Sequence, residues 1–353
     1  MRRLPGRSQT STVIQSALAV LLAGASLAAA QTPVPPTTLH SSSTLVYVPA
    51  LVKTPERENV YSLQADDFGL SDNGLPQQVT LESDEAARAR PLALVVLLQI
   101  GGAAHQQYAT YAHLDTMLAA VVHGTPNKVA VVEFDSEPEW DSPFISDPDH
   151  WGDEIDNPHW GNGGAAIFDA LAYALHLLNQ QPPDTRRAIL LISQQHDVGS
   201  KTKVQDIIRD VGESNTAVYS LTFSVEKSVL KQAFTFHSAP PANEPLQVGE
   251  QSYVQYFQLS PLLDLAIGAM HKNLAAEVAG LSGGEPYGFS NKVEFDRALS
   301  TLSNDVRNGY LLSFRPTAPD PGLHTLKVAV PDHPDYLVSA RSSYWASDAK
   351  APE

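Results

Sequence analysis

The chain has no cysteine. That absence removes thiol nucleophiles, thiolate zinc sites, disulfides and thiol redox chemistry together. Positive charge is also scarce. Lys and Arg number 23 against 39 Asp and Glu, for a net charge of −16. Nucleic-acid binding needs a basic face, so the charge balance argues against that class of partner. The acidity reads first as a solubility device. Two catalytic signatures are missing too: there is no HExxH and no phosphate loop. Scattered histidines such as His105, His113, His176 and His271 read as structural or exposed. After residue 30 no second apolar run of about 18 residues occurs, so no transmembrane span is expected in the mature chain.

What is present fits a globular protein. Hydrophobic residues make up 43% and charged residues 18% of 353, which excludes general disorder and leaves room for two or three domains. Arg2, Arg3 and Arg7 precede an apolar stretch from Val13 to Ala30 that ends in three alanines. This is the pattern of a cleaved signal peptide over 1–30. A membrane anchor is the competing reading, but the Ala, Gly and Ser content is only weakly apolar. No cysteine follows for lipid attachment, and the Arg pair lacks the rest of a twin-arginine motif. The expected product is exported, to the periplasm or beyond the cell. Residues 31–43, rich in Pro, Thr and Ser, read as a linker.

Residues 44–86 carry a β pattern: TLVYVPALV, ENVYSL, FGL and QQVTLES. Asn73-Gly74 marks a tight turn because both residues tolerate positive φ. Phe68 is the expected core anchor of this N-terminal β module, and Asp66 and Asp67 are expected as turn or solvated residues. From Pro91 the pattern changes. Apolar strands at Leu92–Ile100, Lys128–Phe134, Arg187–Ser193 and Ala217–Phe223 alternate with helices at Gln107–Val122, Ala165–Leu178 and Val204–Glu213. In the second helix Ile167, Leu171, Leu175 and Leu178 share one face. Alternation of this kind predicts an α/β fold, a doubly wound and mostly parallel sheet with helices on both sides. Ligands in such sheets gather at the carboxyl ends of the strands.

The domain is expected to span 91–308, interrupted by a Pro-rich insertion at about 224–260. A helix over Pro261–Val278, a strand after SGGEP and a helix over Val293–Asn308 complete it. The last helix turns Phe295, Leu299, Leu302 and Val306 inward. Residues 309–346 then read as three strands, Tyr310–Phe314, His324–Val330 and Tyr336–Arg341. They are expected to pack with the N-terminal strands as one small accessory β module.

Several segments, in order, resemble a known family. QADDFGLSDNGLPQQV precedes the domain, and PLALVVLLQIGGA forms its first strand. GGAAIFDALAYAL and RAILLISQQHD follow, then AGLSGGEPYGF and VRNGYLLSFRPTAPDPGLHTLKVAV. Together they resemble a von Willebrand factor type A domain, most closely the VWFA-related proteins of acidobacteria, over nearly all of 44–346. The resemblance implies a metal-ion-dependent adhesion site. That site is built from Asp-x-Ser-x-Ser after the first strand, a Thr in the middle and a later Asp, hard oxygen ligands suited to Mg²⁺ or Ca²⁺. Here the first motif falls on Gln99, Gly101 and Ala103, the Thr on Ala165 and the late Asp on Gln194. Both Asp positions hold Gln, and none of the three hydroxyl positions has a hydroxyl. The site is therefore expected to take no metal, and no cofactor is expected. Asp197 stands nearby as a single carboxylate.

Residues Asp135–Gly164 hold three of the four tryptophans, Trp140, Trp151 and Trp160. They also hold Asp147, Asp149, His150, Asp153, Glu154, Asp156 and His159. Three readings stand: a solvated acidic loop with its rings packed on the domain, a partner surface anchored by exposed aromatics, or a metal site of carboxylates and imidazoles. The glycine pairs Gly101-Gly102 and Gly163-Gly164 read as tight turns rather than as an anion cradle. The leading functional expectation is a non-enzymatic module binding a protein partner without metal. Its surface would comprise Gln99 to Ala104, Ala165, Gln194 to Asp197 and the Trp-rich stretch. The alternative is a metal-dependent hydrolase or metal-binding protein using His150 and His159. A structural envelope protein with no discrete site is the third.

Overall fold

A computed structural model describes residues 45–83, 90–111, 114–122, 127–223, 261–317 and 320–347. The expected leader, the linker and the 224–260 insertion lie outside them. Everything described belongs to one compact unit, Ser43–Glu353.

The N-terminal strands are β1 (Val46–Lys53), β2 (Gly69–Asp72), β3 (Leu75–Gln77) and β4 (Thr80–Leu81). In β1, Val46, Val48, Ala50 and Val52 are buried on one face, the period of two that a pleated strand imposes. Asn73 and Gly74, at φ of 47° and 82°, form the two-residue turn that joins β2 to β3.

The central sheet follows: β5 (Leu92–Gln99), β6 (Lys128–Phe134), β7 (Pro138–Asp141), β8 (Arg186–Gln194), β9 (Thr216–Phe223) and β10 (Pro286–Phe289). Its order is β10-β9-β8-β5-β6-β7, all parallel except β7. The helices are α1 (Leu114–Val122), α2 (Pro148–Asp156), α3 (Ile167–Asn179), α4 (Val204–Glu213), α5 (Pro261–Lys272), α6 (Leu274–Ser282) and α7 (Lys292–Asn308). Every residue of β5 is buried because both faces of the sheet are covered. Ala93, Val95 and Leu97 pack with α3, α4, α5 and α6. Leu92, Leu94, Val96 and Leu98 pack with α1, α2 and α7. This is the doubly wound α/β fold.

Some elements differ from their sequence reading. The helix expected over Gln107–Val122 is a 3₁₀ segment at Gly102–Thr110 followed by α1. The helix expected over Pro261–Val278 is two helices, broken where the Asn273 side chain accepts from the Ala276 amide and caps α6. The acidic stretch after β6 is not one loop. It contains β7, antiparallel to β6, and α2, which starts on an Asp147 cap with Pro148 in the first turn.

The C-terminal strands are β11 (Tyr310–Phe314), β12 (Gly322–Ala329), β13 (Leu337–Ala340) and β14 (Ser343–Ala346), the last unforeseen in the sequence. Two four-stranded sheets form, β13-β1-β11-β4 and β14-β12-β2-β3. They share one core that includes Val48, Phe68, Leu312, Phe314, Leu326 and Tyr344. The accessory module is thus a β-sandwich made from both ends of the described chain. A polar network ties three strands of its second sheet. His324 Nδ1 lies 2.8 Å from Asp72 Oδ1, and the Tyr344 hydroxyl donates to Asp72 Oδ2 at 2.7 Å, all three residues being buried.

Arg341 joins the sandwich to the α/β layer. Its guanidinium donates to the carbonyls of Ser343, Tyr47 and Gly212 and to Asn215 Oδ1, at 2.6–3.1 Å. Burial pulls its pKa down to about 10, and the neutral acceptors satisfy the donors without a carboxylate. Asp305 is a second joint. It accepts from Lys53 and Asn59 on the sandwich side and from the Tyr287 hydroxyl of β10.

Candidate functional site

The carboxyl ends of β5 and β8 meet at a pair of side-chain amides. Gln99, fully buried, accepts from the Gln194 backbone amide at 2.8 Å. Its own NH₂ donates to Gln194 Oε1 at 3.2 Å and to the Gly101 carbonyl at 3.0 Å. The Gln194 NH₂ donates onward to the His196 carbonyl at 2.8 Å. The two positions where the resemblance implies metal-binding carboxylates therefore hold neutral groups whose hydrogen bonds are spent on each other. A carboxylate could not close the same circuit, because it has no N–H to donate.

The loop beside the amides is wedged shut by glycine. A Cβ added at Gly101 would lie 2.3 Å from the Gly164 carbonyl oxygen. The Gly102 amide donates to the Asn162 carbonyl at 2.7 Å, and the buried Asp135 carboxylate accepts from the Asn162 amide at 2.7 Å. Close approach, rather than anion binding, explains Gly101 and Gly164, where a Cβ would meet the Ser136 backbone at 2.5 Å. Gly163 is different, since nothing lies within 4 Å of its added Cβ.

The other expected site residues separate on burial. Ala103 is half-buried on the 3₁₀ segment. Ala165 is buried and exchanges two backbone hydrogen bonds with Val198. Asp197 accepts from the Phe168 amide at 3.2 Å and from the Ser200 amide and hydroxyl, so it caps the first turn of α3. Trp151 corrects the sequence reading. It is 0% exposed in α2, inside the core beneath the sheet, and offers no surface to a partner. The side chain of Trp140 lies outside the described residues, while its backbone, in β7, pairs with Glu133 of β6.

Trp160 is the exception, at 80% exposed. Its ring stacks on His105 at 4.5 Å between centroids, with Tyr108 edge-on at 6.4 Å. The Tyr108 hydroxyl donates to the His159 carbonyl at 2.9 Å. Burial, then the charge of Glu133, pushes its pKa up to about 12. His159 is held from beneath by Glu133, a buried carboxylate 2.8 Å from Nδ1 that also accepts from the His159 amide. Burial raises the Glu133 pKa against the lowering effect of those hydrogen bonds. Sequence reading missed Glu133, Tyr108 and His105 as a set. They stand on β6 and on the 3₁₀ segment, 26 to 55 residues from their partners, and no local motif links them.

His150 and His159 do not converge on one ligand. His150 pairs with Asp147, 3.1 Å away on the exposed start of α2, and His159 pairs with Glu133. Among the described residues, no group of three His, Asp or Glu is placed to hold a metal ion. Among the same residues, no helix is long and apolar enough to cross a membrane.

No protein-family model matches the chain, and no curated protein matches it. Solved structures overlap it in part. The protein BatB from Bacteroides thetaiotaomicron is 13% identical with a TM-score of 0.39, over 61% of this chain and 97% of that one. A von Willebrand factor type A structure from Catenulispora acidiphila is 10% identical with a TM-score of 0.42, over 87% and 64%. The pilus adhesin SpaC from Lactobacillus rhamnosus GG is 8% identical with a TM-score of 0.38, over 73% and 34%. The fold assignment stands on the strand order and the two-sided core described above.

Proposed function

We propose that this chain is an exported, non-enzymatic module of the von Willebrand factor A type that binds a protein partner without a metal ion. The observation that carries the proposal is Trp160. A ring this exposed, yet held by stacking on His105 and flanked by Tyr108, is a preorganised anchor. Little side-chain entropy is left to lose when a partner covers it. The neutral Gln99–Gln194 pair supports the metal-free half of the reading, since side-chain amides compete poorly with carboxylates for a hard dication. The test is capture of a partner from an envelope or secreted fraction on the immobilised chain. Capture should survive a chelator and be lost in Trp160→Ala at unchanged melting temperature. Retention by Trp160→Ala, or loss on chelation alone, would reject it.

The hydrolase alternative has one feature in its favour, the buried Glu133 carboxylate behind the exposed His159 ring. Turnover of ester or peptide substrates that disappears in His159→Ala and needs added Zn²⁺ or Ca²⁺ would replace the binding reading.

A further inference from the structure

The loop that carries Trp160 is pinned by two carboxylates at the end of β6. Glu133 accepts from the His159 amide at 3.2 Å, and Asp135 accepts from the Asn162 amide at 2.7 Å. The two residues are 2% and 1% exposed, so solvent screens their charge poorly. The other donors to Asp135 are neutral, the Ser136 hydroxyl at 3.4 Å and the Glu137 amide at 3.3 Å. The ion-pair partner of Glu133 is the His159 ring, which offsets it only when protonated. Trp160 therefore stands beside two buried anions. One face of its ring rests on His105, and at 80% exposed the other face is open.

The surrounding chain adds to the negative field. Between Arg90 and Arg186 it has one Lys or Arg, Lys128, against thirteen Asp and Glu. Lys128 opens β6 and so lies at the far end of that strand from Glu133 and Asp135. After burial, the Glu154 charge on α2 also raises the Glu133 pKa, which places Glu154 within electrostatic range of the loop. The cationic groups on this stretch are engaged: Lys201 lies 3.5 Å from Glu137, and His150 stands 3.1 Å from Asp147. An exposed indole in an acidic field favours a cation on its open face. Guanidinium suits the place better than ammonium, because it is planar, stacks on aromatic rings and is more weakly hydrated. We propose that the partner meets Trp160 with an arginine side chain, its guanidinium laid on the open face of the indole. The inference rests on the reading of Trp160 as the partner anchor and adds the charge that the partner carries there.

The experiment is calorimetric titration of the full chain with tetra-arginine amide as probe and tetra-citrulline amide, its neutral isostere, as comparator. Tetra-arginine should bind saturably, and tetra-citrulline should bind about tenfold more weakly or not at all. Raising NaCl from about 50 to 300 mM should weaken tetra-arginine by about fivefold or more. Trp160→Ala, at unchanged melting temperature, should weaken it by about tenfold. The proposal fails if tetra-arginine shows no saturable binding, or if tetra-citrulline binds as tightly, since stacking would then need no charge. It fails equally if Trp160→Ala binds tetra-arginine as the parent does, since the attraction would then be the general acidity of a chain at −16. Any of these results, with partner capture still lost in Trp160→Ala, removes the arginine and leaves the anchor standing. Capture that survives Trp160→Ala removes both.

Discussion

Replacing Gly101 by Ser would supply one of the hydroxyls that the resemblance implies for a metal site, and the protein should reject it. An added Cβ falls 2.3 Å from the Gly164 carbonyl oxygen, 2.7 Å from Asp135 Cβ and 2.9 Å from the Asn162 carbonyl oxygen. Two of these atoms are backbone, so no rotamer change relieves the contact. The loop Asn162–Gly164 must retreat. Retreat breaks the bond from the Gly102 amide to the Asn162 carbonyl and the bond from the Asn162 amide to Asp135. Overpacking costs about 1–3 kcal/mol, and two lost hydrogen bonds add about 1 kcal/mol each. A total of about 3–5 kcal/mol corresponds to a fall of roughly 6–10 °C in a domain of this size. Scanning calorimetry reads it. Gly163→Ala is the internal control, because its Cβ enters open space, and it should melt within about 1 °C of the parent. The reasoning is refuted if Gly101→Ser melts with the parent. It is refuted equally if Gly101→Ser, combined with Gln99→Asp and Gln194→Asp, binds Mg²⁺ stoichiometrically in a fully stable protein.

Three other outcomes follow from the same structure. Asp72→Ala leaves His324 and the Tyr344 hydroxyl without their buried acceptor and should cost about 2–5 kcal/mol in chemical denaturation; a parent-like midpoint would show the network to be dispensable. Arg341→Met removes the donor shared by four acceptors between the sandwich and the α/β layer, of which Asn215 Oδ1 keeps the Tyr47 amide, so the calorimetric transition should split or broaden, whereas one sharp, unshifted transition would mean the joint lies elsewhere. Glu133 carries a raised pKa, so its contribution to stability is fully present below the unfolded value of about 4.3 and is lost as pH rises through the folded value. Glu133→Gln should therefore be more stable than the parent at pH 7, with the gap closing on acidification toward pH 4. The neighbours His159 and Glu154 also act on this site, and a gap that widens on acidification would show that the His159 pairing dominates.

Much of the architecture was legible in the chain itself. LALVVLLQ is apolar throughout, and a strand of that kind is stable only with both faces covered. Ile167, Leu171, Leu175 and Leu178 fall on one side of α3 because a helix repeats every 3.6 residues, and all four are buried. Asn73-Gly74 makes its turn for a reason contained in those two residues. One signal was present and unread. Asp147-Pro148 opens a helix, and Trp151 and Ile155 at i and i+4 share its buried face, which distinguishes Trp151 from Trp160.

The remainder has no local signature. The sequence alone determined which segments become strands and helices, because period, turn chemistry and capping act over a few residues. Only the tertiary structure decided that Gln99 meets Gln194 across 95 positions, since side-chain hydrogen bonds depend on register between β5 and β8. It alone turned Gly101 from a turn residue into a close-approach residue, because the obstructing carbonyl belongs to Gly164. In each case the deciding partner is distant in sequence, and packing brings it within the few ångströms over which these interactions act.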